Sequence, residues 1–95
     1  MNFEQFRESL SDEKPPAGIS NHLLSLWYDG NNHWEQSHDI IQAFEDPDAA
    51  WIHAYLHRKE GDIWNADYWY RKAGKTRPSI SLDEEWAEIV NVLTS

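Results

Sequence analysis

Cysteine is missing altogether from the 95 residues. Disulfides and thiolate metal sites are thereby excluded, and redox chemistry says nothing about compartment. Glycine and proline are scarce, four of each. The glycines fall at predicted helix ends and linkers, so no glycine-rich loop can cradle a phosphate, and no GxSxG elbow is present. With no thiol nucleophile either, an enzyme is not expected. No apolar run approaches the ~20 residues of a membrane span. The opening MNFEQFRESL lacks a basic start and an apolar stretch, which predicts that it is not a leader peptide. A soluble, cytoplasmic protein without membrane contact is the resulting expectation. Positive charge is also short: 8 Lys and Arg stand against 17 Asp and Glu, a net −9. That balance argues against nucleic acid as a partner of the whole molecule.

What charge there is lies unevenly. Residues 51–78 hold six Lys/Arg and three acids, a net +3, and everything else sums to −12. Six tryptophans in so short a chain are the other departure, and their apolar payload places most of them in a core. Periodicity is helical throughout, with no convincing alternation of period two, so no strands are predicted. Asn2 caps a short helix carrying Phe3, Phe6 and Leu10 on one face, and the two prolines of SDEKPP end it. A second helix is predicted over about residues 19–28, with Gly30 just past its end. Asn32 and Glu35 have capping-box spacing for a third helix, whose inward positions are Trp34, Ile41 and Phe44, with Ser37 small enough for close approach. Asp46-Pro47 starts a fourth, Gly61 ends it and Asp62 caps a fifth. Ser81 with Glu84 opens a sixth, striped by Leu82, Trp86, Ile89, Val90 and Leu93, with Asp83, Glu84 and Glu85 as first-turn partners of its dipole.

The fold class expected is all-α: five or six helices in antiparallel hairpins forming one domain over 1–95. Residues 1–16 form an N-terminal helix and proline linker, 18–78 two helical hairpins, and 80–95 a capping helix. In the central stretch Gly61-Asp62 stands at a turn, Ala54, Ala66 and Ala73 at small positions, Tyr70 at an aromatic one and Pro78 at the exit. This spacing resembles one tetratricopeptide repeat, a unit of about 34 residues, although Ala50 stands where that family usually has tryptophan. Ser37 and Ile41 repeat Ala66 and Tyr70 at an offset of 29, as a weaker copy. The resemblance implies a tetratricopeptide-like stack with a concave, peptide-binding groove. The blocks WIHAYLHRKEGD and NADYWYRKAG also resemble part of certain short bacterial proteins, and that likeness implies no activity.

Two constellations could carry function. Trp51, Tyr55, Arg58 and Lys59 lie at i, i+4, i+7 and i+8, on one side of the fourth helix. Under the repeat alignment they line the groove, where the aromatic rings would anchor a peptide and the cations would pair with its carboxylates. Tyr68, expected to face outward, and Arg71 extend this surface. The expected function is therefore a protein-interaction or scaffold module that binds an acidic or C-terminal peptide. Reversing Arg58 and Lys59 should then abolish binding and spare the fold. The second constellation is His53 and His57, one turn apart, with His38 on the preceding helix. Such spacing can hold one metal ion. The HExxH pattern is absent, however, since Ala54 follows His53, and the favoured reading is of hydrogen-bonded core histidines meeting Asn65, Tyr68 or Trp69, with no metal and no cofactor. A small-molecule or metal site at these three residues is the alternative function, and self-association through the first or last helix is a third.

Overall fold

A computed structural model describes residues 1–95. It contains six helices and no strand: α1 (Phe3–Ser9), α2 (Asn21–Gly30), α3 (Trp34–Ile41), α4 (Pro47–Glu60), α5 (Ile63–Lys72) and α6 (Leu82–Thr94). The all-α expectation holds, and the caps explain where most helices begin. Asn2 accepts from the Gln5 N–H while the Gln5 side chain accepts from the Asn2 N–H, and Ser81 and Glu84 form the same reciprocal pair. Asp46 accepts from the Ala49 N–H ahead of Pro47, and Asp62 from that of Asn65. Each such cap satisfies backbone donors that a helix start leaves free, worth about 1 kcal/mol.

Two predicted boundaries move. α2 begins at Asn21 because Ser20 takes the cap, bonding the Leu23 N–H, and Gly30 is its last helical residue instead of the residue beyond. Gly30 is needed for space: a Cβ there would stand 2.9 and 3.0 Å from the Leu10 methyls and 3.1 Å from the Trp86 ring. The Asn32–Glu35 capping box does not form. Asn32 turns the chain with a φ of 65°, leaving His33 at the cap without a side-chain bond. Asparagine tolerates that left-handed backbone better than most residues.

α2 and α3 pair closely, as do α4 and α5. The contacts Tyr28–His33 and Ser25–Ser37 run in opposite chain directions, and short connections favour such antiparallel neighbours. Ser25 and Ser37, both fully buried, bond each other at 2.8 Å between α2 and α3. α4 is the axis of the molecule. Every residue from Ala49 to His57 is buried, and α4 touches α2, α3, α5 and α6. α6 packs against α1, α2 and α4, setting Ile89 and Val90 in the core with Phe6, Leu26, Ile52 and Leu56.

Tryptophan accounts for much of this assembly. Four indole N–H groups each donate to a different helix. Trp27 on α2 bonds the Ser9 carbonyl at 3.2 Å, and Trp34 on α3 bonds that of Leu56 at 2.8 Å. Trp51 on α4 bonds the Glu85 carboxylate at 3.1 Å, and Trp86 on α6 bonds the Leu26 carbonyl at 3.0 Å. Large rings fill the gaps between helices and their single donors find partners there, as buried indoles require.

Candidate functional site

The basic-aromatic face of α4 does pair with carboxylates, but they belong to this chain. Trp51 and Tyr55 are 5% and 2% exposed, which removes them as anchors for an external peptide. Glu85, fully buried, accepts from Trp51 Nε1, from Arg58 Nη1 at 2.8 Å and from the Tyr70 hydroxyl at 2.6 Å. Arg58 also donates to the Ile80 carbonyl. Asp29, 1% exposed, accepts from the Tyr55 hydroxyl at 2.6 Å and from Lys59 Nζ at 2.9 Å. Both phenols are held well above their ordinary pKa, by burial first and then by the adjacent carboxylate, so both stay donors. A groove made of Trp51, Tyr55, Arg58 and Lys59 is thus already filled by α2 and α6. The expected neutrality of reversing Arg58 and Lys59 falls with it, because Arg58→Glu would set one carboxylate against another in a buried site.

The histidines do come together. His38 on α3 and His53 and His57 on α4 each offer a ring nitrogen within 4.8 Å of the others. Their ring centroids stand 4.8 Å (His38–His53), 4.9 Å (His53–His57) and 5.2 Å (His38–His57) apart. Three imidazoles on one tetrahedral ion, with N–metal bonds of about 2.0–2.1 Å, would place their centroids roughly 5 Å apart. His38 Nε2 and His53 Nε2 lie 3.1 Å from each other. Two protonated nitrogens cannot face each other at that distance, so at least one ring is neutral there. Burial, then the charges that His38 and His57 would carry, push the His53 pKa down to about 3; burial, then His57, lowers that of His38. Both rings are therefore kept in the form that binds metal.

Other side chains hold the three rings in place. His57 Nδ1 sits 2.6 Å from the Glu60 carboxylate, which fixes its tautomer and leaves Nε2 for a ligand, a common arrangement around metal-binding histidine. Trp34 stacks on His38 with 5.0 Å between centroids, and Trp69 on His53 with 4.0 Å. Of the partners anticipated for the histidines, Trp69 is the one that arrives. His53 Nδ1 is buried with no hydrogen-bond partner. Whichever tautomer His53 adopts, that nitrogen is an unpaired donor or acceptor, at a cost of about 1–3 kcal/mol.

Comparison with protein-family models, curated proteins and solved structures returns no match.

Tyr68 and Arg71 lie apart from both clusters, on the outward side of α5. Glu85, Asp29, Trp34 and Glu60 are the residues that sequence reasoning missed. Each of them carried a signal. Glu85 is three residues after Leu82 and four before Ile89, and Asp29 is three after Leu26, so each acid lies on an apolar stripe. An acid in that position is buried with a partner or it breaks the helix packing. Glu60 and Trp34 carried one as well: Glu60 stands three residues after His57 on α4 and Trp34 four before His38 on α3, spacings at which side chains on one helix meet.

Proposed function

We propose that this protein binds one late first-row divalent ion, zinc in the first instance, through His38, His53 and His57. The observation that carries this reading is the convergence of three imidazole nitrogens within 4.8 Å, from two helices that join the two hairpins. Nitrogen-only ligation suits zinc, copper, nickel and cobalt and is poor for calcium or magnesium. Glu60 would orient His57, while Trp34 and Trp69 would exclude water from two of the rings. An ion here would bridge α3 to α4. None of the three histidines lines any of the five cavities of the fold, which suits an ion held for structure or sensing better than one that turns over a substrate.

The test is zinc titration of chelator-treated protein, followed by calorimetry and by tryptophan emission, with His38→Gln and His57→Gln alongside. Wild type should take up one zinc per chain and alter the emission of the stacked indoles. With free zinc about 100-fold above Kd, the folded state gains about 2.7 kcal/mol, a rise in Tm of about 10–20 °C for a domain of this size. Each variant should keep its helical circular dichroism and lose most of that rise. Substoichiometric uptake, or a zinc response that survives both substitutions, would overturn the proposal.

A further inference from the structure

α5 buries only one side. Ala66 and Tyr70 pack inward, while the opposite side carries Trp64, Tyr68, Arg71 and Lys72 at i, i+4, i+7 and i+8, one continuous stripe. Trp64 is 76% exposed and Tyr68 38%. Each of the other tryptophans is buried or half-buried, so Trp64 is the exception in a fold that otherwise uses its indoles inside. The Trp64 and Tyr68 rings lie nearly parallel, 13° apart, with 6.5 Å between centroids, and Lys72 Nζ stands 5.4 Å over the Tyr68 ring. The two rings form an exposed aromatic patch beside positive charge.

Neither cation on this stripe is paired with a carboxylate, although Lys72 also stands 5.1 Å over the Trp69 ring. Arg7, Arg58, Lys59 and Arg77 each contact a carboxylate. Arg71 and Lys72, like Lys14 and Lys75, contact none, although acids outnumber bases 17 to 8 in this chain; of these four, Arg71 and Lys72 are the two that adjoin in sequence. An acid-rich sequence that leaves two adjacent cations free, next to two exposed rings, has a surface complementary to negative charge joined to an apolar group.

We propose that the outward face of α5 docks a short acidic segment of a partner protein, with an apolar side chain of that segment on Trp64 and Tyr68 and its carboxylates on Arg71 and Lys72. Arginine can grip a carboxylate through two parallel N–H bonds, and exposed aromatics supply the desolvated contact that anchors such an interface. A long nucleic-acid strand fits less well. The chain carries −9, and its field repels an extended polyanion while a segment with two or three carboxylates feels mainly the local patch. This surface stands independently of the metal reading, since none of its four side chains is a proposed ligand.

The experiment selects binders from a random peptide display library against the intact 95-residue chain, in parallel with Trp64→Ala and Arg71→Glu/Lys72→Glu. All three positions are exposed, so both variants should keep wild-type circular dichroism and Tm. Enriched peptides should combine net negative charge with an aromatic or large aliphatic residue. Their affinity should drop by about tenfold or more in each variant and weaken with added salt. Several results would overturn the proposal. They are no enrichment, enrichment of basic or uncharged peptides, and binding that neither variant touches. Tighter binding of oligothymidylate than of any selected peptide would make the face a nucleic-acid surface. Sedimentation showing a wild-type dimer that Trp64→Ala dissolves would make it a contact between copies.

Discussion

A buried histidine must remain neutral where two others crowd it, and that requirement makes the metal-free protein sensitive to acid. His53 titrates near 3 and His38 below its ordinary value in the folded chain, whereas in an unfolded chain both titrate near about 6.5. Protons therefore bind the unfolded state preferentially once pH falls below about 6.5. The stability of keeping these rings neutral is fully present above that pH and is lost as pH falls toward 3. The groups that set this balance are His57, Asp39 and Glu60 around His38, and His38 and His57 around His53. Chelator-treated wild type should lose Tm steadily between pH 7 and 5, and His53→Gln, which cannot take up a proton, should lose less; equal losses would refute this account. Of the three histidines, the i, i+4 pair was legible from spacing alone. His38 could be guessed only by pairing helices, and the neutrality of the rings became visible once Trp34 and Trp69 were seen to cover them.

At the level of helices, capping chemistry made the sequence readable, because a cap is a local contract between residues three apart. Asn2, Asp46, Asp62 and Ser81 start helices where their types say they should. What spacing could not say is which helix covers which face. Trp51, Tyr55, Arg58 and Lys59 do share one side of α4, yet that side is roofed by α2 and α6, and the two acids that meet it come from 30 residues before Lys59 and 27 after Arg58. Two measurements probe these junctions. Arg58→Ala leaves a fully buried Glu85 without its cation and should cost about 3–5 kcal/mol in urea denaturation. Glu85→Gln retains an acceptor for Tyr70 and Trp51 and should cost less. Where the end of α2 meets Leu10 and α6, Gly30→Ala would gain about 1 kcal/mol of helix propensity. It would also press a methyl into Leu10 and Trp86. Overpacking of this kind costs about 1–3 kcal/mol, so Tm should fall.

For the molecule as a whole, the four indole bonds join α1 to α2, α2 to α6, α6 to α4 and α4 to α3. α5 is tied to α4 by the close contact of Trp69 with His53. No helix is left outside this circuit. The chain should accordingly unfold in one step, with far-ultraviolet circular dichroism and tryptophan emission giving coincident denaturation curves; separated midpoints would show that part of the circuit melts alone. The abundance of tryptophan was plain from composition. Its use as a set of cross-helix donors was not, because each partner is a backbone carbonyl or a distant acid that no local pattern announces.

Arg58 and Lys59 are neighbours on α4, turned about 100° from each other, and they moor that helix to two different partners. Consider exchanging them, so that lysine precedes arginine. Charge, composition, hydropathy and every helix signal would stay as they are, and a substitution table would score the change as nearly silent. Yet the ammonium would then have to serve Glu85 and the Ile80 carbonyl together, a task suited to a fork, while the guanidinium would crowd the place where one small cation meets Asp29 beside Tyr55. The order of two letters thus carries information about the fold that no tally of the letters contains.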